Sequence, residues 1–301
     1  MTESSRLVAL DADRARLLRC VVSITVIIFA FLVASATTKA DTQPYSVVVQ
    51  VHAKSTGLTS GEIVVRIGNI SMPATAIKAS PDIPRNIAIV IDAGPDQAKV
   101  LAEEKELAIA LINELGGAGT SFTIVEAGSS PKTHATTLDT SVAIEDARDI
   151  SEDRGEKRNV PSYDAIGSAI RKISLFPGLR VVVFIGEGND GGSKLRYADL
   201  RNLAESNQIA FCAALVADHT LRGAKSLLRY GWNLRELTDD TAGIFLENQK
   251  PPKATRRLIE TIRDLLLITF DMNSPWPGRH KVSILVRSGK RLRAQNFVVV
   301  P

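Results

Sequence analysis

Arg85 to Asp96 reads R-N-I-A-I-V-I-D-A-G-P-D. Ile87 to Ile91 is an unbroken apolar run of three isoleucines, an alanine and a valine. Such a run, β-branched and without alternation, suits a strand buried on both faces, as in a parallel sheet covered by helices. It stops at Asp92-Ala93-Gly94-Pro95-Asp96, and a helical pattern begins at once. An acid at the carboxyl end of a central parallel strand stands where open α/β sheets bind ligands. Two readings are open for Asp92 and Asp96: acids of a binding site, or caps of the following helix.

Downstream, Val100, Leu101, Ala108, Leu111, Ile112 and Leu115 fall near i, i+3, i+4 spacing, and Gly116-Gly117 ends that helix over 97–115. Its glutamates and lysines are assigned to the outer face. Strands are expected at Phe122–Val125, Leu179–Ile185, Ile209–Val216 and Gly243–Leu246. Helices are expected at Tyr163–Ser174, 194–206 and Ala254–Leu267, with an amphipathic segment at Leu234–Thr238 and a weak strand at Thr133–Leu138. Strand and helix alternating in this way predict a Rossmann-like α/β fold, a mainly parallel sheet with helices on both faces. Ile87–Ile91 should lie in its centre.

The flanks differ. Tyr45–Val51, Ile63–Ile67 and Ile70–Ile77 read as strands before a Pro81-Asp82-Ile83-Pro84 linker. Ile268–Met272, Lys281–Arg287 and Phe297–Val300 follow one another without helices, so antiparallel pairing is expected. The two flanks could share one small β module. Residues 1–40 carry Arg14, Arg16 and Arg19 before an apolar run from Cys20 to Val33, then Ala34-Ser35-Ala36. That is the layout of a secretory signal; the run is shorter than the roughly 20 residues a spanning helix prefers, and an uncleaved anchor is the alternative. Either way the bulk faces outward, secreted or membrane-anchored, and an uncleaved segment contacts the membrane. The expected division is 1–40 leader or anchor, 41–84 and 268–301 β module, and 85–267 α/β domain.

Composition narrows the chemistry. With 45% hydrophobic and 23% charged residues among 301, a sizeable core can form. A net charge of +4 is too mild to imply nucleic acid. The basic run of Arg279, Lys281, Arg287, Lys290, Arg291 and Arg293 reads better as a solvated face guarding a sheet edge. Two cysteines and four scattered histidines make neither a disulfide framework nor a zinc site. Gly186-Glu187-Gly188-Asn189-Asp190-Gly191 matches G-x-G-x-x-G after a strand, but its two acids stand where a pyrophosphate would sit. No G-x-S-x-G elbow is present. No catalytic residue and no cofactor are assigned.

Several phrases, in order, resemble the von Willebrand factor A-type fold, in particular the group of exported bacterial proteins called VWFA-related acidobacterial domain proteins. They are G-L-T-S-G-E-I-V-V-R-I-G-N, N-I-A-I-V-I-D-A-G, S-Y-D-A-I, V-V-V-F-I-G-E-G-N-D-G-G-S, L-R-E-L-T-D-D-T-A-G-I-F and the closing L-R-A-Q-N-F-V-V-V-P. The resemblance covers about residues 44–301 and implies a protein-interaction or adhesion module with an unidentified protein partner. It also implies a metal-ion-dependent adhesion site, in which Asp-x-Ser-x-Ser, a threonine and a later Asp hold Mg²⁺. Asp92 matches the first Asp. Gly94 and Asp96 stand in place of the serines, Val160 in place of the threonine, and Glu187 in place of the last Asp. The site is therefore expected to be degenerate and the module metal-independent. The alternative is a Ca²⁺-dependent (or Mg²⁺-dependent) binder, or an enzyme, that uses Asp92, Asp96, Glu187 and the 186–192 loop, with Asn159 or Ser162 adding an oxygen.

Overall fold

The structure is a computed structural model that describes residues 44–50, 58–79, 82–95, 100–153, 160–216, 225–247, 249–271, 278–287, 291–294 and 296–300. Residues 1–43, where a leader or anchor is expected, lie outside the described residues, as do Asp96 and Asn159.

In chain order, four strands come first: β1 (Pro44–Gln50), β2 (Ile63–Ile67), β3 (Ile70–Pro73) and β4 (Ala76–Ala79). The α/β part follows: β5 (Arg85–Asp92), α1 (Leu101–Leu115), β6 (Thr120–Ala127), β7 (Lys132–Thr133), α2 (Thr140–Asp149), α3 (Ser162–Ile173) and β8 (Leu179–Gly186). It continues through α4 (Tyr197–Ser206), β9 (Ile209–Leu215), α5 (Lys225–Asp240), β10 (Phe245–Glu247) and α6 (Pro251–Arg263). Then come β11 (Leu265–Asp271), β12 (Gly278–Val286), β13 (Arg291–Ala294) and β14 (Phe297–Val300).

One sheet has the order β10-β9-β8-β5-β6-β7. Its pairs are parallel except for the β6–β7 edge ribbon. β5 is internal, as its uniform apolarity requires. Its residues divide by parity: Ile87, Ile89 and Ile91 pack with α1, α2 and α6 on one face. Ala88 and Val90 pack with α3, α4 and α5 on the other. Both side-chain sets of the strand find apolar partners, so no polar alternation survives in the sequence.

The second sheet has the order β3-β2-β12-β13-β1-β11-β4. Its two end strands are consecutive in the chain, so the sheet folds over on itself into a sandwich. The core inside it is Ile63, Val65, Ile67, Ile268, Phe270, Val282, Ile284 and neighbours. Strands from both flanks of the sequence therefore share one sheet.

The structure corrects three expected element bounds and adds one strand. Ile70–Ile77 is two strands, because Ala74 N–H turns back to the Ile63 carbonyl while Thr75 N–H bonds the Thr269 carbonyl at 2.7 Å. The chain passes there from β2 to β11. The helix expected to run to Leu267 ends at Arg263. Leucines 265–267 favour helix by propensity, but pairing with β1 along all seven β11 positions prevails. Strand β10 begins at Phe245 rather than Gly243, because Gly243 lies so near the Phe211 carbonyl that an added Cβ would be 1.5 Å from the oxygen. Finally, Arg291–Ala294 is a strand that the basic, turn-like sequence concealed.

The pairing with β12 changes register along the C-terminal stretch: Ile284 pairs with Leu292, yet Lys281 pairs with Phe297, an offset of two residues. β13 stays beside β1, and Phe297 in β14 reaches Arg201 of α4.

Candidate functional site

The carboxyl end of β5 presents Asp92, 2% exposed. Its Oδ1 accepts the Gly94 N–H at 3.1 Å, and the Glu187 N–H bonds the same carboxylate. Gly186, at the end of β8, presses on it: a Cβ there would lie 2.3 Å from the Asp92 Cβ. Only glycine lets the two strand ends approach this closely.

Val160 lies directly over Gly94. A Cβ on residue 94 would be 2.6 Å from Val160 Cγ2 and 3.2 Å from Asp92 Oδ1. The two positions aligned with hydroxyl ligands thus touch each other through hydrogen and methyl. Ser162, considered as an oxygen donor, gives its hydroxyl to the Asn189 carbonyl at 2.5 Å. Glu187 is 9% exposed and accepts from Asn189 Nδ2 at 3.1 Å.

Sequence reasoning missed Glu104. It stands in the first turn of α1, is fully buried, and neither carboxylate oxygen has a hydrogen-bond partner among the described residues. The signal was present, since 101, 104, 108, 111 and 115 form one helical stripe, and the residue was assigned to the outer face for its charge alone. Burial pushes its carboxyl well above the usual range, and the neighbouring Asp92 and Glu187 add to the effect. Burial likewise raises Asp92 to about 7, with Glu187 contributing. A carboxyl group buried beside others is held as the neutral acid.

Among the described residues, no group of three or more His, Cys, Asp or Glu side chains is arranged to hold a metal ion. Gly94 and Val160 offer no oxygen, so the described side chains do not make the octahedral oxygen shell that Mg²⁺ demands.

The glycine-rich loop after β8 is a helix cap. Asp190 Oδ1 accepts the Tyr163 N–H at 3.0 Å and the Ser193 hydroxyl at 2.5 Å. Asp164 in return accepts the Lys194 and Leu195 N–H groups at 3.0 and 2.8 Å. Gly191 N–H bonds the Val160 carbonyl at 2.8 Å. The amino end of α3 is thereby occupied by a carboxylate of the chain itself, where a phosphate would otherwise bind. Burial raises the Asp190 carboxyl, and its hydrogen bonds oppose that rise.

No protein-family model matches the sequence, and no curated protein matches it. Solved structures do. A von Willebrand factor type A protein from Catenulispora acidiphila is 10% identical, with 87% of this chain and 74% of that one covered at a TM-score of 0.50. Proximal thread matrix protein 1 from the mussel byssus is 14% identical, with 64% of this chain and 49% of that one covered at 0.51. The α/β layer has the von Willebrand factor A-type fold.

Proposed function

We propose that this chain is an exported protein-interaction module of the von Willebrand A type whose top face works without a metal ion. The observation that carries the reading is the contact of Val160 with Gly94 beside the buried Asp92. Two coordinating hydroxyls are replaced there by a mutually fitted glycine and valine. A carboxylate on a partner would find no bound cation to complete, and the surrounding acids would repel it. Binding rather than catalysis is favoured because the loop acid Asp190 is spent on capping α3. The leader-like residues 1–40 support secretion or anchoring; among the described residues, no helix is long and apolar enough to cross a membrane. In this reading residues 41–84 and 268–301 form the β module beside the 85–267 domain.

A second reading, a Ca²⁺-dependent binder or enzyme, draws on the buried acids Asp92 and Glu187 together with Asp96. Isothermal titration with Mg²⁺ and with Ca²⁺, for the protein and its Asp92→Ala variant, separates the two. No heat with either ion is the expected result. Micromolar binding abolished by Asp92→Ala would overturn the metal-independent reading.

A further inference from the structure

Away from Asp92, a cluster of charged side chains lies where β12 and β14 meet α4 and α5. Glu205 of α4 is completely buried. Arg201, one turn earlier, reaches its Oε1 at 3.2 Å. Arg279, at the start of β12, reaches both oxygens, Nε to Oε2 at 2.5 Å and Nη2 to Oε1 at 2.8 Å. The Arg279 guanidinium stacks 3.3 Å from the centre of the Phe297 ring, and Arg201 approaches the same ring at 5.5 Å. Asn296, just before β14, adds polar links. Asn296 Nδ2 donates to Asp240 Oδ1 at 3.1 Å and to the Asp239 carbonyl at 3.2 Å, and Asn296 N–H donates to the Asp240 carbonyl. Asp240 also lies 2.8 Å from Arg201.

We propose that Glu205 with Arg201 and Arg279 is a latch that holds the β sandwich on the α/β layer. A buried carboxylate is tolerated only while its charge is matched. One arginine comes from the same helix and the other from the β module, so docking of the two parts adds the two Arg279 hydrogen bonds to the Glu205 carboxylate. The bidentate fork and the ring stack require an arginine geometry that lysine cannot reproduce. The register change before β14 serves the latch, since Asn296 reaches the end of α5 and Phe297 reaches the two guanidinium groups. Besides the latch, the two parts are joined by the chain between β4 and β5 and again at Asp264, and Leu265 and Leu267 at the start of β11 pack on the α/β core.

The test is hydrogen exchange, read by mass spectrometry, on the protein and its Arg279→Lys and Glu205→Gln variants. Each variant is expected to raise exchange in β2 and β12 by about tenfold or more while β5 and β8 keep their protection. Arg279→Lys keeps the positive charge and serves where the second variant folds poorly, with β5 and β8 as the internal control. An equal change in both layers, a change confined to the α/β layer, or no change would overturn the latch.

Discussion

The buried acids at the top of the sheet set the pH dependence of stability, and Asp92→Asn isolates one share of it. Unfolded, the Asp92 carboxyl titrates near 3.8; folded, burial and the neighbouring Glu187 hold it near 7. Below both values each state carries the proton and nothing is gained or lost. Between them the unfolded chain releases its proton while the folded one keeps it, so stability falls as pH rises, and the loss is complete above about 7. At about 1.4 kcal/mol per pH unit, the rise from 3.8 to about 7 amounts to about 4 kcal/mol. Roughly 3 kcal/mol of this falls between pH 5 and 8. Glu104 acts in the same sense. Asparagine retains an oxygen for the Gly94 N–H and cannot ionise. Urea unfolding at pH 5, 6, 7 and 8, with chelator present, should show the parent protein weakening with pH. The Asp92→Asn variant should weaken by roughly 3 kcal/mol less. A parent whose stability is flat or rises over that range would refute the reasoning. So would a variant that keeps the whole slope.

Restoring one serine should fail by itself. Gly94→Ser places a Cβ 2.6 Å from Val160 Cγ2 and should cost about 1–3 kcal/mol of overpacking. Adding Val160→Ala should recover most of it in the same denaturant titration; no recovery would mean that the contact is not the cause. Asp190→Ala removes the acceptor for the Tyr163 N–H and the Ser193 hydroxyl, and should cost about 1 kcal/mol. Exchange of the first-turn amides of α3 should rise with it, whereas unchanged protection there would show that the loop does not cap the helix.

The α/β layer was legible from the chain because its determinants are local. A run such as Ile87–Ile91 has few options other than a doubly covered strand, and strands alternating with amphipathic helices imply parallel order. The antiparallel flanks were legible for the converse reason, the absence of helices between them. Motif order also pointed to Asp92, Gly94, Val160 and Glu187, and the structure brings these four together at the ends of β5 and β8. What it could not settle were the choices made by partners distant in the chain. Leu265–Leu267 became strand because β1, more than 200 residues earlier, pairs with them. Ala74 and Thr75 became a corner because two different strands claim their amide groups. Glu104 was read as solvated because charged residues usually are; only the packing of α1 against the sheet turned it inward beside Asp92. Glu205 was hidden in the same way. Its charge became internal only because Arg279 arrives from β12 to meet it, and no local pattern records an encounter between residues 74 positions apart.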